Sequence, residues 1–237
     1  MEIAETAVEK GITTYGITHR PKAGNDFFDI LNTLGGEYYT DEGQLVFDEA
    51  GLLRTYEFFY RNANETGITP PNSSQLGWNT INQTVGNGDT FAYFGPIFSA
   101  TYVAGSVNKS PEQLAEDVSF VLFPASKYNN TPFAVAAPDG IAISTQSKYP
   151  EICKEILLEL ATDSADLLAT NGATTFSLAS VEAANNDPQI TEHPLLKDVA
   201  YMAAYAKTIP SITGFEFFRQ EFFKQLELIE LGSIMPK

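Results

Sequence analysis

Basic residues are scarce in this chain: fourteen Lys and Arg stand against thirty Asp and Glu, a formal charge of −16 at neutral pH over 237 residues. A surface this acidic repels phosphate backbones and anionic headgroups, so nucleic acid and lipid surfaces are excluded as natural partners. The single cysteine, Cys153, excludes an internal disulfide. With Ile152 and Ile156 at helical spacing around it, it reads as a small buried hydrophobe rather than a nucleophile. Long apolar runs are also missing. Phe133 to Ala137 is among the longest, far short of the roughly 20 residues that cross a bilayer. No basic stretch followed by an apolar one begins at Met1, so an export signal is expected outside this sequence. Only two histidines are present, and no Gly-x-Ser-x-Gly elbow, phosphate-binding Gly-rich loop with Lys, or HExxH motif occurs.

What is abundant is material for a core: 43% hydrophobic and 12% aromatic residues rule out disorder and suffice for one or two packed domains. Thr13 to Thr18, Leu45 to Phe47, Phe91 to Phe94, Val118 to Phe123 and Phe133 to Ala137 read as strands, with Ile141 to Ser144 continuing beyond a Pro-Asp-Gly interruption. Between them lie helical patterns. Asp48 caps a stripe of Leu52, Leu53, Tyr56, Phe59 and Tyr60, and a helix is expected from about Asn79 to Gly86. Pro150 opens a helix with Ile152, Ile156 and Leu160 facing inward, followed by a short one from Thr162 to Gly172. Leu195, Leu196, Val199, Met202 and Ala206 mark another helix, and Phe215, Phe218, Phe222, Leu226 and Ile229 a longer one stopped by Gly232. Alternation of this kind predicts an α/β fold with a mostly parallel sheet. Five Asn-x-Ser/Thr sequons begin at Asn64, Asn72, Asn82, Asn108 and Asn129 and mildly favour an exported surface.

Catalytic chemistry has little to build on. His19 and His193 sit beside loop signals outside any nucleophile motif, and read as surface residues. Glu216 and Glu221, five apart on a helix, point to different faces and read as a solvated surface rather than a glycosidase pair. Tyr38 and Tyr39 invite comparison with paired tyrosines that hold ferric iron, but consecutive residues of an extended segment point to opposite sides and no His ligand is near. Neither a metal nor a cofactor is expected. Aromatic residues near loops remain: Trp78, Tyr93, Phe94, Phe98, Tyr102, Phe215 and Phe217. Their faces suit the apolar C–H faces of sugar rings, while packing is the plain alternative.

The order of these segments resembles the extracellular solute-binding proteins of ABC importers, in the family of maltose and other oligosaccharide-binding proteins. Phe27-Phe28 and Leu31 through Gly35-Gly36 resemble its helix leading to a Gly-Gly turn. Leu45 to Asp48 with the next helix resembles its strand and long amphipathic helix. Gly88 to Pro96 resembles its strand and Gly-Pro ligand loop, and Phe123-Pro124 its Pro-ended strand. Pro138-Asp139-Gly140-Ile141-Ala142-Ile143, followed by Lys148-Tyr149-Pro150-Glu151, resembles its crossover into a helix.

That resemblance implies a periplasmic-binding-protein-like fold of type II, in which a solute is held between two α/β lobes that close by hinge bending. The chain would supply mostly the C-terminal lobe, residues 1–138 and 188–237. Residues 139–187 would be a returning segment of an incomplete N-terminal lobe. The implied function is non-catalytic capture of a sugar or oligosaccharide and delivery to membrane permease subunits. The implied location is extracellular or periplasmic, with membrane association through a missing N-terminal anchor. By matching positions, the ligand-binding residues would be Asn25, Asp26, Gly95, Pro96, Ile97, Phe98, Asp139, Gly140, Phe215, Glu216 and Phe217. Ile97 stands where many sugar binders carry Trp, and Phe98 could supply the ring instead. An orphan segment with apolar Ile141, Ile143, Ile156 and Leu160 should expose more than the several hundred Å² a monomer tolerates, unless self-association or a missing lobe covers it. Two readings compete: a secreted carbohydrate-active enzyme using two carboxylates, and a receptor for a non-sugar solute such as a polyamine.

Overall fold

The computed structural model describes residues 1–19, 26–40, 42–136, 140–208 and 213–237. Helix α1 (Glu2–Glu9) leads into strand β1 (Tyr15–His19), then α2 (Asp26–Thr33) and α3 (Glu49–Tyr60). Asp48 caps α3 as its sequence position predicts, its side chain accepting from the Gly51 amide. Gly36 and Gly51 let α2 and α3 approach closely: a Cβ built on Gly51 would sit 2.4 Å from the Gly36 Cα. Helix α4 (Trp78–Gly86) precedes β2 (Thr90–Phe94), which is followed by α5 (Ser99–Ser106) and α6 (Pro111–Ala115). Then come β3 (Ala134–Ala136), α7 (Pro150–Thr162), α8 (Ala165–Thr175), α9 (Glu182–Asn185), α10 (Pro188–Thr191), α11 (Val199–Met202), β4 (Ala206–Thr208) and α12 (Phe215–Glu230).

Both strand pairs are parallel: β1 runs beside β2 with His19 opposite Phe94, and β3 beside β4 with Ala136 opposite Thr208. Two expected strands are largely absent. Among the described residues, Val118 to Phe123 makes one bridge, Phe123 to Phe133, and Leu45 to Phe47 makes the Tyr39–Leu45 bridge alone. Ile141 to Ser144 has no strand partner among the described residues, and Ile141 is 75% exposed. A β-branched run becomes a strand only when a neighbour takes its backbone hydrogen bonds.

Two large cores of different character hold the chain, beside a small third one of Ala4, Ile17 and Ile68. The first is aromatic: Phe27, Phe28, Tyr38 and Phe59 from the α2–α3 region pack with Phe222 and Leu226 of α12. The Phe27 ring stacks 5.5 Å from Phe222. The second is aliphatic and joins Val103, Ala104 and Leu114 to Ala169, Phe176, Ala184, Leu196 and Val199. Helix α7 belongs to neither. It has no buried residue, and Ile152 and Ile156, expected to face inward, are 54% and 55% exposed. Cys153 is accordingly half-buried rather than enclosed, its sulfur 3.6 Å from the Ser147 hydroxyl. The accessible surface is 13683 Å², against about 10,500 Å² for a compact monomer of this mass.

The sequons divide. Asn82 is buried, Asn129 donates its side-chain amide to the Asn32 carbonyl, and Asn64 donates to the Ile229 carbonyl. Asn72 and Asn108 lie exposed in left-handed conformations, at φ 56° and 53°.

Candidate functional site

Parallel strands direct their carboxyl ends the same way, and in α/β folds ligands gather in the crevice beyond those ends. Every candidate residue follows such an end. After β1 the chain passes through residues 20–25 to Asp26, which opens α2; after β2 come Gly95 to Phe98. Gly140 follows β3 beyond residues 137–139, and Phe215 to Phe217 open α12 beyond the end of β4. Asn25 and Asp139 lie outside the described residues. The two strand pairs communicate through Phe123, whose ring lies 5.2 Å from Phe94 and whose backbone bridges to Phe133, directly before β3.

The turn after β2 is built tightly. The Tyr93 ring folds over Gly95, its tip 2.5 Å from where a Cβ would stand, so any larger residue there would have to displace the ring. The Tyr93 hydroxyl lies 3.4 Å from the Ser99 hydroxyl across the same turn. The Pro96 and Ile97 carbonyls accept from the Ser99 and Ala100 amides, so the loop passes directly into α5. Ile97 packs against the aliphatic core, whereas Phe98 stands 44% exposed beside it. Gly140 is exposed, with open space around its α-carbon.

At the start of α12 the three candidates separate. Phe215 turns into the aromatic core, its ring 5.3 Å from Phe28 and 5.9 Å from Tyr38. Phe217 is 71% exposed. Glu216 accepts from Arg219 Nε and Nη2 at 2.9 Å and from Gln220 Nε2 at 2.9 Å. Those donors, Arg219 foremost, draw its carboxyl down to about pKa 2. A carboxyl held ionised in this way has no proton to give near neutral pH, which removes it as a general acid.

Neither histidine is the surface residue its sequence context suggested. His19 is buried, with Nε2 2.6 Å from Glu230 Oε1 and its ring edge-on to Phe59. The pair ties the end of β1 to the last residue of α12. His193 is half-buried, and its Nδ1 accepts from the Leu195 and Leu196 amides. Burial lowers its pKa, with nearby Glu112 opposing. A ring nitrogen that serves as backbone acceptor in a turn is occupied, and the sequence held no sign of either arrangement. Tyr38 is buried in the aromatic core with its pKa raised, chiefly by burial. Among the described residues no group of three His, Cys, Asp or Glu side chains could hold a metal ion, and no helix is long and apolar enough to cross a membrane.

Several solved structures of similar fold hold a bound sugar. Maltose-bound MalE3 of T. maritima superposes with a TM-score of 0.77 at 13% identity, over 99% of this chain and 60% of that one. A sugar transporter protein of Arthrobacter chlorophenolicus with bound laminaribiose gives 0.76 at 16% identity, over 98% and 59%. The maltose/maltodextrin-binding domain of Bdellovibrio bacteriovorus, bound to maltotriose, gives 0.72 at 16%, over 94% and 56%. The fold is therefore the type II periplasmic-binding-protein fold, of which the chain spans about three fifths of each neighbour's length. No curated protein matches it in sequence. The strand-end loops, the fold and a family model matching residues 1–175 agree: this chain belongs to the bacterial extracellular solute-binding proteins.

Proposed function

We propose that the chain captures a neutral sugar or oligosaccharide outside the cell, as the substrate-binding component of an ABC importer, and delivers it unchanged to permease subunits in the membrane. The observation that carries this reading is the order of the candidate segments along the chain, each following a strand of one of two parallel pairs. Phe98 and Phe217 keep exposed apolar faces, whereas Ile97 and Phe215 are taken up by core packing. The aromatic contacts with ligand are thus assigned to Phe98 and Phe217, and Gly95, Pro96 and Gly140 supply backbone groups. Asn25, Asp26 and Asp139 are assigned polar contacts by the family resemblance alone. The neighbours that bind maltose, maltotriose and laminaribiose support the ligand class. The Glu216–Arg219 pair speaks against Glu216 as the general acid of a hydrolase.

Residues 1–138 and 188–237 are assigned to one lobe. The shared burial of Ala169, Phe176 and Ala184 with Val103 and Leu196 supports adding α8 and α9 to it. The returning segment of the second lobe then narrows to about Gly140 through α7. The bare face of α7 and the excess of accessible surface fit a lobe whose other strands come from outside this sequence.

Thermal-shift titration with a panel of mono- and oligosaccharides tests the function. A saturable rise in Tm with at least one sugar is expected, following binding linkage. No shift with any sugar in a chain extended to the length of its structural neighbours, or a shift with spermidine alone, defeats the reading.

A further inference from the structure

Among the described residues, His19 and Glu230 form the one pairing of a carboxylate with His, Lys or Arg in which both side chains are buried, at 3% and 2% exposure. Glu230 sits there against two local rules. A carboxylate at the last residue of a helix faces the negative end of the helix dipole, and a carboxylate out of water needs a partner to offset its desolvation. Its Oε1 accepts from His19 Nε2 at 2.6 Å, and its Oε2 has no hydrogen-bond partner among the described residues. The acid does nothing for α12 itself, and conflicts of this kind mark positions held for function.

Neither residue belongs to a candidate ligand segment, yet His19 stands between two of them. As the last residue of β1 it lies opposite Phe94, after which the chain enters the Gly95-Pro96 turn. Its ring meets Phe59 edge-on at 5.1 Å, and Phe59 stacks at 6.1 Å on Phe27, in the first turn of α2. All three rings are buried, so a shift of one is passed to the next. The strand has little else to hold its end. Among the described residues β1 forms a sheet with β2 alone, and two strands by themselves are marginal. The start of β1 is braced by the Ile68 carbonyl, which accepts from the Gly16 and Ile17 amides, and its end by Glu230. Glu230 is a firm anchor, because the Asn64 side chain donates to the Ile229 carbonyl and Phe222 and Leu226 lie in the aromatic core.

We infer that His19 and Glu230 are positioning residues for ligand binding: the pair fixes the end of β1, and with it the Gly95-Pro96 turn and the start of α2, in the geometry that receives the sugar. The inference rests on the sugar-binding reading above and gives the last residue of α12 a part in affinity, exerted through His19 rather than by contact.

The test separates position from stability. The double variant His19→Leu/Glu230→Leu should keep a Tm close to that of the parent, since a buried pair exchanged for apolar side chains of similar size costs little. Calorimetric titration with maltose, maltotriose and laminaribiose, in the protein extended to the length of its structural neighbours, should show affinity about tenfold weaker in that variant. Glu230→Gln, which keeps an oxygen to accept from Nε2, should recover most of the loss. Undiminished affinity in the double variant overturns the inference. Native-state hydrogen exchange of the 237-residue chain reads the same geometry without ligand. In His19→Gln the Ser99 and Ala100 amides, which close the turn, should exchange about tenfold faster than in the parent, while the Ser177 amide, bonded to the Gly172 carbonyl, keeps its rate. Unchanged rates at all three amides, or equal acceleration at all three, overturn the inference, since the pair would then serve the fold alone. An extended parent that binds none of the sugars defeats the sugar-binding reading, and the exchange rates still decide whether the pair positions the turn.

Discussion

Helices α12 and α7 carry the same kind of apolar stripe and meet opposite fates. Over sixteen residues α12 buries Phe222, Leu226 and Ile229, the first two of them in the aromatic core with Phe27 and Phe59. Over thirteen residues α7 buries nothing, although Ile152, Ile156 and Leu160 are spaced as regularly. The difference teaches that periodicity records a face in need of a partner, not the presence of one. In α12 the partner is supplied by α2 and α3, whereas among the described residues α7 has none to match.

That contrast can be broken most forcefully in the aromatic core. Phe28 is fully buried, and Phe28→Ala should cost about 4 kcal/mol in urea unfolding; a cost near zero would mean that this core is not the one that holds the chain. His19→Ala should follow at about 3 kcal/mol, because it strands the Glu230 carboxylate inside the protein. An unchanged urea midpoint would show that the pair does not bind α12 to β1.

A smaller effect lies at His193. Burial lowers its pKa from the ordinary 6.5, so between the folded and unfolded values the unfolded chain holds the extra proton. Stability should therefore be complete above about pH 6.5 and decline as the pH falls below it, towards the lowered folded value. Replacing His193 with Gln should remove that part of the Tm–pH profile, and a profile identical in both proteins would contradict the capped turn. The smallest effect should come from α7. Ile156→Asp is expected within about 0.5 kcal/mol of the parent, and a loss as large as that of Phe28→Ala would reveal a partner for this helix.

The turn after β2 was legible because its residues are local. Gly95-Pro96 and the strand before it are contiguous, and strand propensity with a Gly-Pro stop announces itself within a few residues. Tyr93 covering Gly95 was not legible, since it depends on one side chain's rotamer. The sorting of Ile97 inward and Phe98 outward was hidden for a similar reason: only the packing of α5 on the aliphatic core decides which neighbour is spent. Phe215 and Phe217 divide in the same manner on α12. Val118 to Phe123 misled because β-branched and aromatic residues signal a strand whether or not another strand lies beside them.

By itself the amino-acid order determined helices such as α3, α7 and α12, the Asp48 cap, the strand β2 with its Gly-Pro stop, and the acidic total charge. All of these arise from interactions between residues a few positions apart, or from simple totals. Tertiary structure alone decided that His19 meets Glu230 from 211 positions away, that the aromatic core gathers α2, α3 and α12, and that α7 stays bare. Such outcomes depend on which distant surfaces come together to leave water, and a hydrophobic face gives the strength of that drive but not the identity of its partner.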